Sequence, residues 1–444
     1  MLDYNHGPRP APKPLAVRTT TMKKILIVED SATVTKILKH LIKQQPTIEA
    51  FFAGTLAEGQ AVYQQHKDEI FASVIDLNLP DAPNGETVDY FLNEGLPVIV
   101  LTGNYKDETR EALLEKGIVD YVIKESRYSY NYVFKLIDRL ERNQKIKVLV
   151  TEDSKATRNF IKALLEKHLY QVLEASNGIE ALGVLKNNPD IKLLITDYHM
   201  PEMDGFELVK TIRQNVDKTD LVIIGLSGEG KGALSAKFIK NGANDFLPKP
   251  FYHEEFYCRI IHNIESLEHI EKIRDNANRD YLTGLYNRRF FYENAEQQYQ
   301  QAKQANNPLA AAVINIDHFK KINDAYGHSV GDAILIFFSQ ELAHTFERFS
   351  IARLGGEEFS VLLPGLNNEQ AVTLLDRFRT IISSLSIPID HEDLDINITV
   401  SIGVSNYLHD SLDQQMDCAD QLLYHAKNAG RNIVIGDDDE EEEQ

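Results

Sequence analysis

The stretch "KIKVLVTEDSKATRNFIKALL", Lys145–Leu165, changes its pattern partway along. It opens as a short β-rich apolar run, passes through the acidic pair Glu152–Asp153, and continues with Phe160, Ile161 and Leu164 on one helical face. A strand, an acidic loop and an amphipathic helix are therefore predicted in that order. The same succession occurs at "KKILIVEDSATVTKILKHLI", Lys23–Ile42, with the pair Glu29–Asp30 and the helical stripe Val34, Ile37, Leu38 and Leu41.

The repeat continues downstream at an offset of about 120–125 residues. "ASVIDLNLPD" places Asp76 at a strand end, and "KLLITDYHMPEMDG" places Asp197 likewise. "LPVIVLTG" carries Thr102 where "DLVIIGLSG" carries Ser227, and "DYVIKES" carries Lys124 where "NDFLPKPF" carries Lys249. Alternating strands and helices predict an α/β fold, here two doubly wound parallel sheets. Functional groups of such sheets gather at the carboxyl ends of the strands. The acidic pair, the aspartate, the hydroxyl and the lysine should therefore converge in each copy. Clustered carboxylates call for a cation, and hard oxygen ligands suit Mg²⁺. The central aspartate can attack a phosphoryl group and form an acyl phosphate. The lysine and the hydroxyl would hold the phosphoryl oxygens.

Both segments resemble response-regulator receiver domains, flavodoxin-like in fold, over residues 23–142 and 146–265. The resemblance implies phosphoacceptors Asp76 and Asp197, and phosphoryl contacts from Thr102, Lys124, Ser227 and Lys249. It implies acidic metal pockets of Glu29, Asp30 and Asp76, and of Glu152, Asp153 and Asp197 with the His199 carbonyl. Tyr121 and Phe246 take the switch-aromatic positions. A sensor histidine kinase or a phosphotransfer protein is the implied partner. The first copy departs in its longer loop "NLPDAPNG" and in Glu125, where the family usually has proline after the lysine.

The 444 residues allow about three domains. Two cysteines, Cys258 and Cys418, argue against a disulfide framework and suit a reducing cytoplasm. The net charge of −20 excludes a basic nucleic-acid-binding surface. No apolar run approaches the roughly 20 residues that span a bilayer. Residues 1–22 read as a flexible leader without a signal-peptide core, and residues 437–444 as an acidic tail.

Phe256, Ile260, Ile264, Leu267, Ile270 and Ile273 follow steps of three and four. They predict a helical linker over 252–279 that prolongs the last receiver helix, with the option of a short coiled coil. The short "RNQKIKV" between the receivers should restrict their relative orientation.

A third domain is expected over 280–436. Apolar runs at Ala311–Ile316, Phe359–Leu363 and Ile398–Val404 alternate with helical segments, predicting an α+β sheet with helices on one face. "ARLGGEEFSVLLPG", Ala352–Gly365, reads as a hairpin whose tip sets Glu357 beside Glu358. Adjacent carboxylates need a cation between them. An acidic group near Asp317, or two residues earlier, could share it. Lys320, Lys427 and Arg431 offer charge for phosphates. Asn323 and Asp332 offer the donor and acceptor that a guanine edge needs.

These motifs resemble the GGDEF domain of diguanylate cyclases, which share a nucleotidyl-cyclase-like fold and condense two GTP to cyclic di-GMP as a dimer with bound Mg²⁺, usually two ions. The resemblance implies catalytic Glu357 and Glu358, with Asn315, Ile316 and Glu357 at metal-ligand positions. It implies GTP contacts from Lys320, Asn323, Asp332, Gly355, Gly356, Lys427 and Arg431. Two positions depart. Asn315 stands where the family has aspartate, which should weaken Mg²⁺ binding or favour Mn²⁺. Phe346 and Phe349 replace the Arg-x-x-Asp of the usual inhibitory product site, while Arg377 survives at a secondary one. The sequence therefore points to a phosphorylation-regulated cyclase, a homodimer in the cytoplasm. A catalytically weakened GTP-binding or relay module is the second reading.

Overall fold

The computed structural model describes residues 22–444 except 46, 104–106, 229–232, 390–393 and 438–444. The expected leader and acidic tail thus lie outside the described residues, apart from Met22 and Asp437. The chain divides near Ile270 into two compact units. The first carries two five-stranded sheets and the second a six-stranded sheet with a small two-stranded one.

In the first receiver the strands Lys23–Val28, Ile48–Ala53, Ile70–Asp76, Val98–Thr102 and Asp120–Ile123 lie in the order second, first, third, fourth, fifth, all parallel. The second receiver repeats this order with Lys147–Thr151, Gln171–Ala175, Ile191–Asp197, Val222–Ser227 and Asp245–Pro248. Helices cover both faces, so the central strands are apolar throughout, as Val148, Leu149 and Val150 show with no exposure. In each copy a serine follows the acidic pair and caps the next helix. Ser31 accepts from the Val34 amide and Ser154 from the Thr157 amide.

The linker helix runs from His253 to Asn278. Phe256, Ile260, Ile264 and Leu267 pack into the second receiver's core with Val148 and Val150. Most of the predicted stripe is therefore receiver core. Only its end, with Ile273 at 66% exposure, is uncovered.

The receivers meet through buried polar contacts within the first unit. Arg139, on the first receiver's last helix, donates to both oxygens of Glu268 on the linker helix at 2.9 and 2.8 Å. Its Nε donates to Asn143 Oδ1, and Asn143 Nδ2 donates to the His168 carbonyl. The His168 ring lies tilted against Tyr257, 3.6 Å between centroids, and hydrogen-bonds the Val119 backbone. Full burial pushes the His168 pKa down to about 3. The unfolded chain then binds a proton below about pH 6.5 that the folded chain refuses. His168 thus contributes a stability loss of about 1.4 kcal/mol per pH unit as pH falls from about 6.5 toward 3. Urea transitions of this unit at pH 7, 6 and 5 should show that slope, and His168→Phe should flatten it. An unchanged slope in the variant would assign the acid sensitivity elsewhere.

In the second unit the sheet order is Tyr286–Asn287, Ser350–Gly355, Glu358–Pro364, Leu309–Ile316, Val400–Ser405 and Val434–Gly436. The expectation of helices on one face is corrected: both faces are covered. Every residue of the central strand Leu309–Ile316 is buried. Ala310, Ala312, Ile314 and Ile316 pack with Phe338, Phe346 and Phe378, whereas Leu309, Ala311 and Val313 pack with Phe291, Tyr299 and Met416. A strand buried on both sides lacks polar alternation, and its small alanines let helices approach from either face. Phe346 is fully buried and its ring lies against Phe349 and Phe378. These phenylalanines are hydrophobic core in place of charged ligands. Arg377 is exposed.

Candidate functional site

At the strand ends of each receiver the predicted groups converge. Ligand oxygens of Glu29, Asp30 and Asp76 lie within 4.8 Å of one another, as do those of Glu152, Asp153 and Asp197. Glu29, Asp76, Glu152 and Asp197 are buried, while Asp30 and Asp153 are exposed. Lys124 Nζ bridges Glu29 and Asp76 at 2.7 Å each. Lys249 Nζ bridges Glu152 at 2.5 Å and Asp197 at 2.6 Å. Burial raises the pKa of Glu29 and of Glu152, outweighing the paired lysine that lowers each. Three oxygen-donor carboxylates with a buried floor fit Mg²⁺.

Thr102 and Ser227 end the strands beside the aspartates, both buried. The two aromatics at the expected switch positions differ in company. Phe246 packs on Phe238, 5.6 Å between centroids, whereas Tyr121 has the Arg110 guanidinium 5.9 Å from its ring. Arg110 also pairs with Glu254 of the linker helix. The Lys249–Pro250 peptide is cis, and the corresponding Lys124–Glu125 bond is trans. The sequence reading gave Gly205 no role. A Cβ there would come 2.0 Å from the Asp197 carbonyl oxygen, so only glycine lets the next helix start beneath Asp197. Its signal was present, directly after the capping Asp204.

The hairpin tip in the second unit joins Ser350–Gly355 to Glu358–Pro364. Gly356 has φ +47°, a left-handed turn conformation, and open space lies above both glycines where a Cβ would stand. Arg353 locks the tip from behind. It donates to the Gly356 carbonyl at 2.9 and 2.7 Å and to Asp280 at 2.9 Å. Thr283 also bonds Asp280, and these donors outweigh burial to hold its carboxyl below the usual range. Neither Arg353 nor Asp280 was singled out from sequence. They lie 73 positions apart, and no local spacing links them.

Pairing of the tip with the central strand sets Asn315 opposite Glu358, and the Ile316 amide donates to the Glu357 carbonyl at 3.3 Å. Burial and the neighbouring Glu358 charge raise the pKa of Glu357, while Lys427 opposes them. Asn315 is buried beside Glu357, and its amide is assigned the orientation that satisfies its neighbours, with the nitrogen donating to the Ile316 carbonyl at 3.1 Å and the oxygen accepting from Lys427 Nζ at 3.3 Å. Asp317 faces elsewhere. It accepts from Thr399 and Ser401 hydroxyls at 2.7 Å each and from the Asn432 amide at 3.1 Å. This carboxylate secures the turn at Arg431 and Asn432, both at positive φ, and so places Arg431. Glu357 with open water-facing space fits one Mg²⁺, whereas the amide at Asn315 is a poor second ligand.

Of the nucleotide candidates, Asn323 and Asp332 are brought together. Asn323 Oδ1 is buried without a hydrogen-bond partner and would meet a Cβ at Gly331 at 1.9 Å. Asp332 is the next residue and is exposed, as are Lys320 and Arg431. Lys427, on the helix Leu412–Asn428, is half-buried.

Comparison with known proteins agrees with this architecture. Residues 25–129 and 148–261 match the response regulator receiver domain family, and residues 277–433 match the family described as diguanylate cyclase, GGDEF domain. Response regulator PleD of Caulobacter vibrioides is 29% identical over 285 residues, 60% of this chain and 63% of its own length. Diguanylate cyclase DgcP of Pseudomonas aeruginosa is 40% identical over 166 residues, 37% of this chain and 24% of its own. A crystal structure of a two-component system response regulator/GGDEF domain protein is 47% identical, with a TM-score of 0.51, covering 55% of this chain and 99% of that one. No described helix is long and apolar enough to cross a membrane. With two receiver sheets, their acidic pockets and the glycine–glutamate hairpin in one polypeptide, the chain belongs to the response regulators that carry receiver domains and a GGDEF domain.

Proposed function

We propose that this chain condenses two GTP molecules into cyclic di-GMP and two pyrophosphates, each chain of a homodimer holding one GTP. The observation that carries the reading is the tip: Glu357 stands at the open end of a glycine turn, with Lys427 at its side and Arg431 on the adjacent turn. The names of DgcP and of the matched GGDEF family support the same chemistry. Asn323, whose oxygen is buried against Gly331, and the exposed Asp332 beside it offer the donor and the acceptor that a guanine edge needs.

In each of two steps a ribose 3′ oxygen forms a bond to the α-phosphorus of the facing GTP, and the bond to the β-phosphate oxygen breaks. Pyrophosphate leaves with that electron pair. Glu358, exposed at the tip, takes the proton of the attacking hydroxyl, and Lys427 and Arg431 balance charge on the phosphates. Glu357 would hold Mg²⁺, which would supply Lewis-acid polarisation of the phosphates. Lys320 lies on the outer turn of the helix Phe319–Tyr326, within reach of solvent-borne phosphate.

Phosphorylation of Asp76 or Asp197 by a histidine kinase or phosphotransfer protein would control the dimer. The Arg110 contact supports a route from the first receiver, since it touches both the Tyr121 ring and the linker helix. Incubation with GTP and Mg²⁺ or Mn²⁺, with and without beryllium fluoride as phosphoryl mimic, tests the reading by chromatography. Cyclic di-GMP whose rate changes with the mimic is expected. GTP retained unchanged under every condition would leave the second reading, a GTP-binding relay module, which the amide at Asn315 favours.

A further inference from the structure

Three carboxylate clusters could be expected to hold cations in this chain, but among the described residues only the two receiver pockets bring three acidic ligands together. The hairpin tip does not, and its particular geometry says why. Asp317, the nearest strand-end carboxylate, is consumed by two hydroxyls and an amide. Asn315 turns its NH₂ onto the Ile316 carbonyl and its oxygen onto Lys427. A cation seeking that wall would meet a hydrogen-bond donor on one candidate ligand and an ammonium on the other. Mg²⁺ dehydrates reluctantly and is usually held by one or two carboxylates together with phosphates. The carboxylate paired across from Asn315 is Glu358, exposed at the tip and already assigned to the attacking hydroxyl.

We infer that the nucleotide site works with a single divalent cation, held by Glu357, and that Lys427, oriented by Asn315 beside Glu357, supplies the positive charge that a second cation would bring. Asn315 is thus a positioning residue for Lys427 in place of a metal ligand. The inference rests on the reading of the tip as a GTP site. It changes what an aspartate would do there: Asn315→Asp would add charge and also remove the donor that occupies the Ile316 carbonyl.

Equilibrium dialysis of the full chain with Mn²⁺ and the non-cleavable α,β-methylene analogue of GTP tests this directly. Bound Mn²⁺ is counted per bound nucleotide, and the count of the nucleotide-free chain is subtracted so that the receiver pockets cancel. One Mn²⁺ per nucleotide is expected for the natural chain, and two for Asn315→Asp. Two in the natural chain would overturn the inference while leaving the GTP site intact. A variant that stays at one would overturn Asn315 as the limiting residue. Failure to retain any guanine nucleotide would overturn the reading of the site and this inference with it. The natural chain's count decides even if the variant does not fold.

Discussion

Replacing Glu357 by Gln is expected to lower cyclic di-GMP formation by about 100- to 1000-fold, equivalent to about 3–4 kcal/mol of transition-state stabilisation. Glu357 is half-buried, and its neighbours on the cleft side are Lys427, Glu358 and Asn315. Asp317 is committed to the Asn432 turn and position 315 is an amide, so the remaining carboxylate beside Glu357 is Glu358, which the proposed chemistry uses for the attacking hydroxyl. Glutamine keeps the size and one oxygen, so the hairpin locked by Arg353 should persist. GTP affinity should change less than turnover, because the proposed guanine contacts are at Asn323 and Asp332. A variant with more than a tenth of the natural kcat would remove Glu357 from the chemistry.

The second large effect is on stability. Glu268→Ala should destabilise the receiver unit by about 3–5 kcal/mol, the usual cost of stranding a buried charge. Arg139 is 3% exposed, and apart from Glu268 its guanidinium bonds only Asn143 among the described contacts. Burial works against its charge, but the Glu268 bonds outweigh it and hold the guanidinium firmly protonated. Arg139→Met should cost much less, because the side-chain volume is kept and Glu268, still paired with Arg142, remains partly in water. Hydrogen exchange of the helix Arg127–Asn143 against urea would separate this unit from the other. A cost for Glu268→Ala near that of an exposed pair, below about 1 kcal/mol, would show that the receivers are not held by this contact.

Much of this was legible in the chain because the signals were local or repeated. The acidic pair, aspartate, hydroxyl and lysine recur in order, and parallel-sheet physics sends all of them to one edge. The hairpin was legible because adjacent glycines between apolar flanks allow little else. Long-range partnerships were not legible. Asp317 looked like a metal candidate by position, yet Thr399, Ser401 and Asn432, remote in sequence, had already satisfied it. The apolar stripe from Phe256 to Ile273 has the same period whether it meets a second chain or its own receiver, so only packing could separate them. Likewise, the unbroken apolar run Leu309–Ile314 already carried the signature of two covered faces, although one covered face was expected. The Arg139–Glu268 clamp joins residues 129 positions apart and leaves no pattern at all.

The most direct measurement of the central claim is the stoichiometry of the reaction with GTP and Mg²⁺. The purified chain should consume two GTP and release two pyrophosphates for each cyclic di-GMP, and Glu357→Gln should suppress all three quantities together. GTP that stays bound and unconverted, or a product other than cyclic di-GMP, would contradict it.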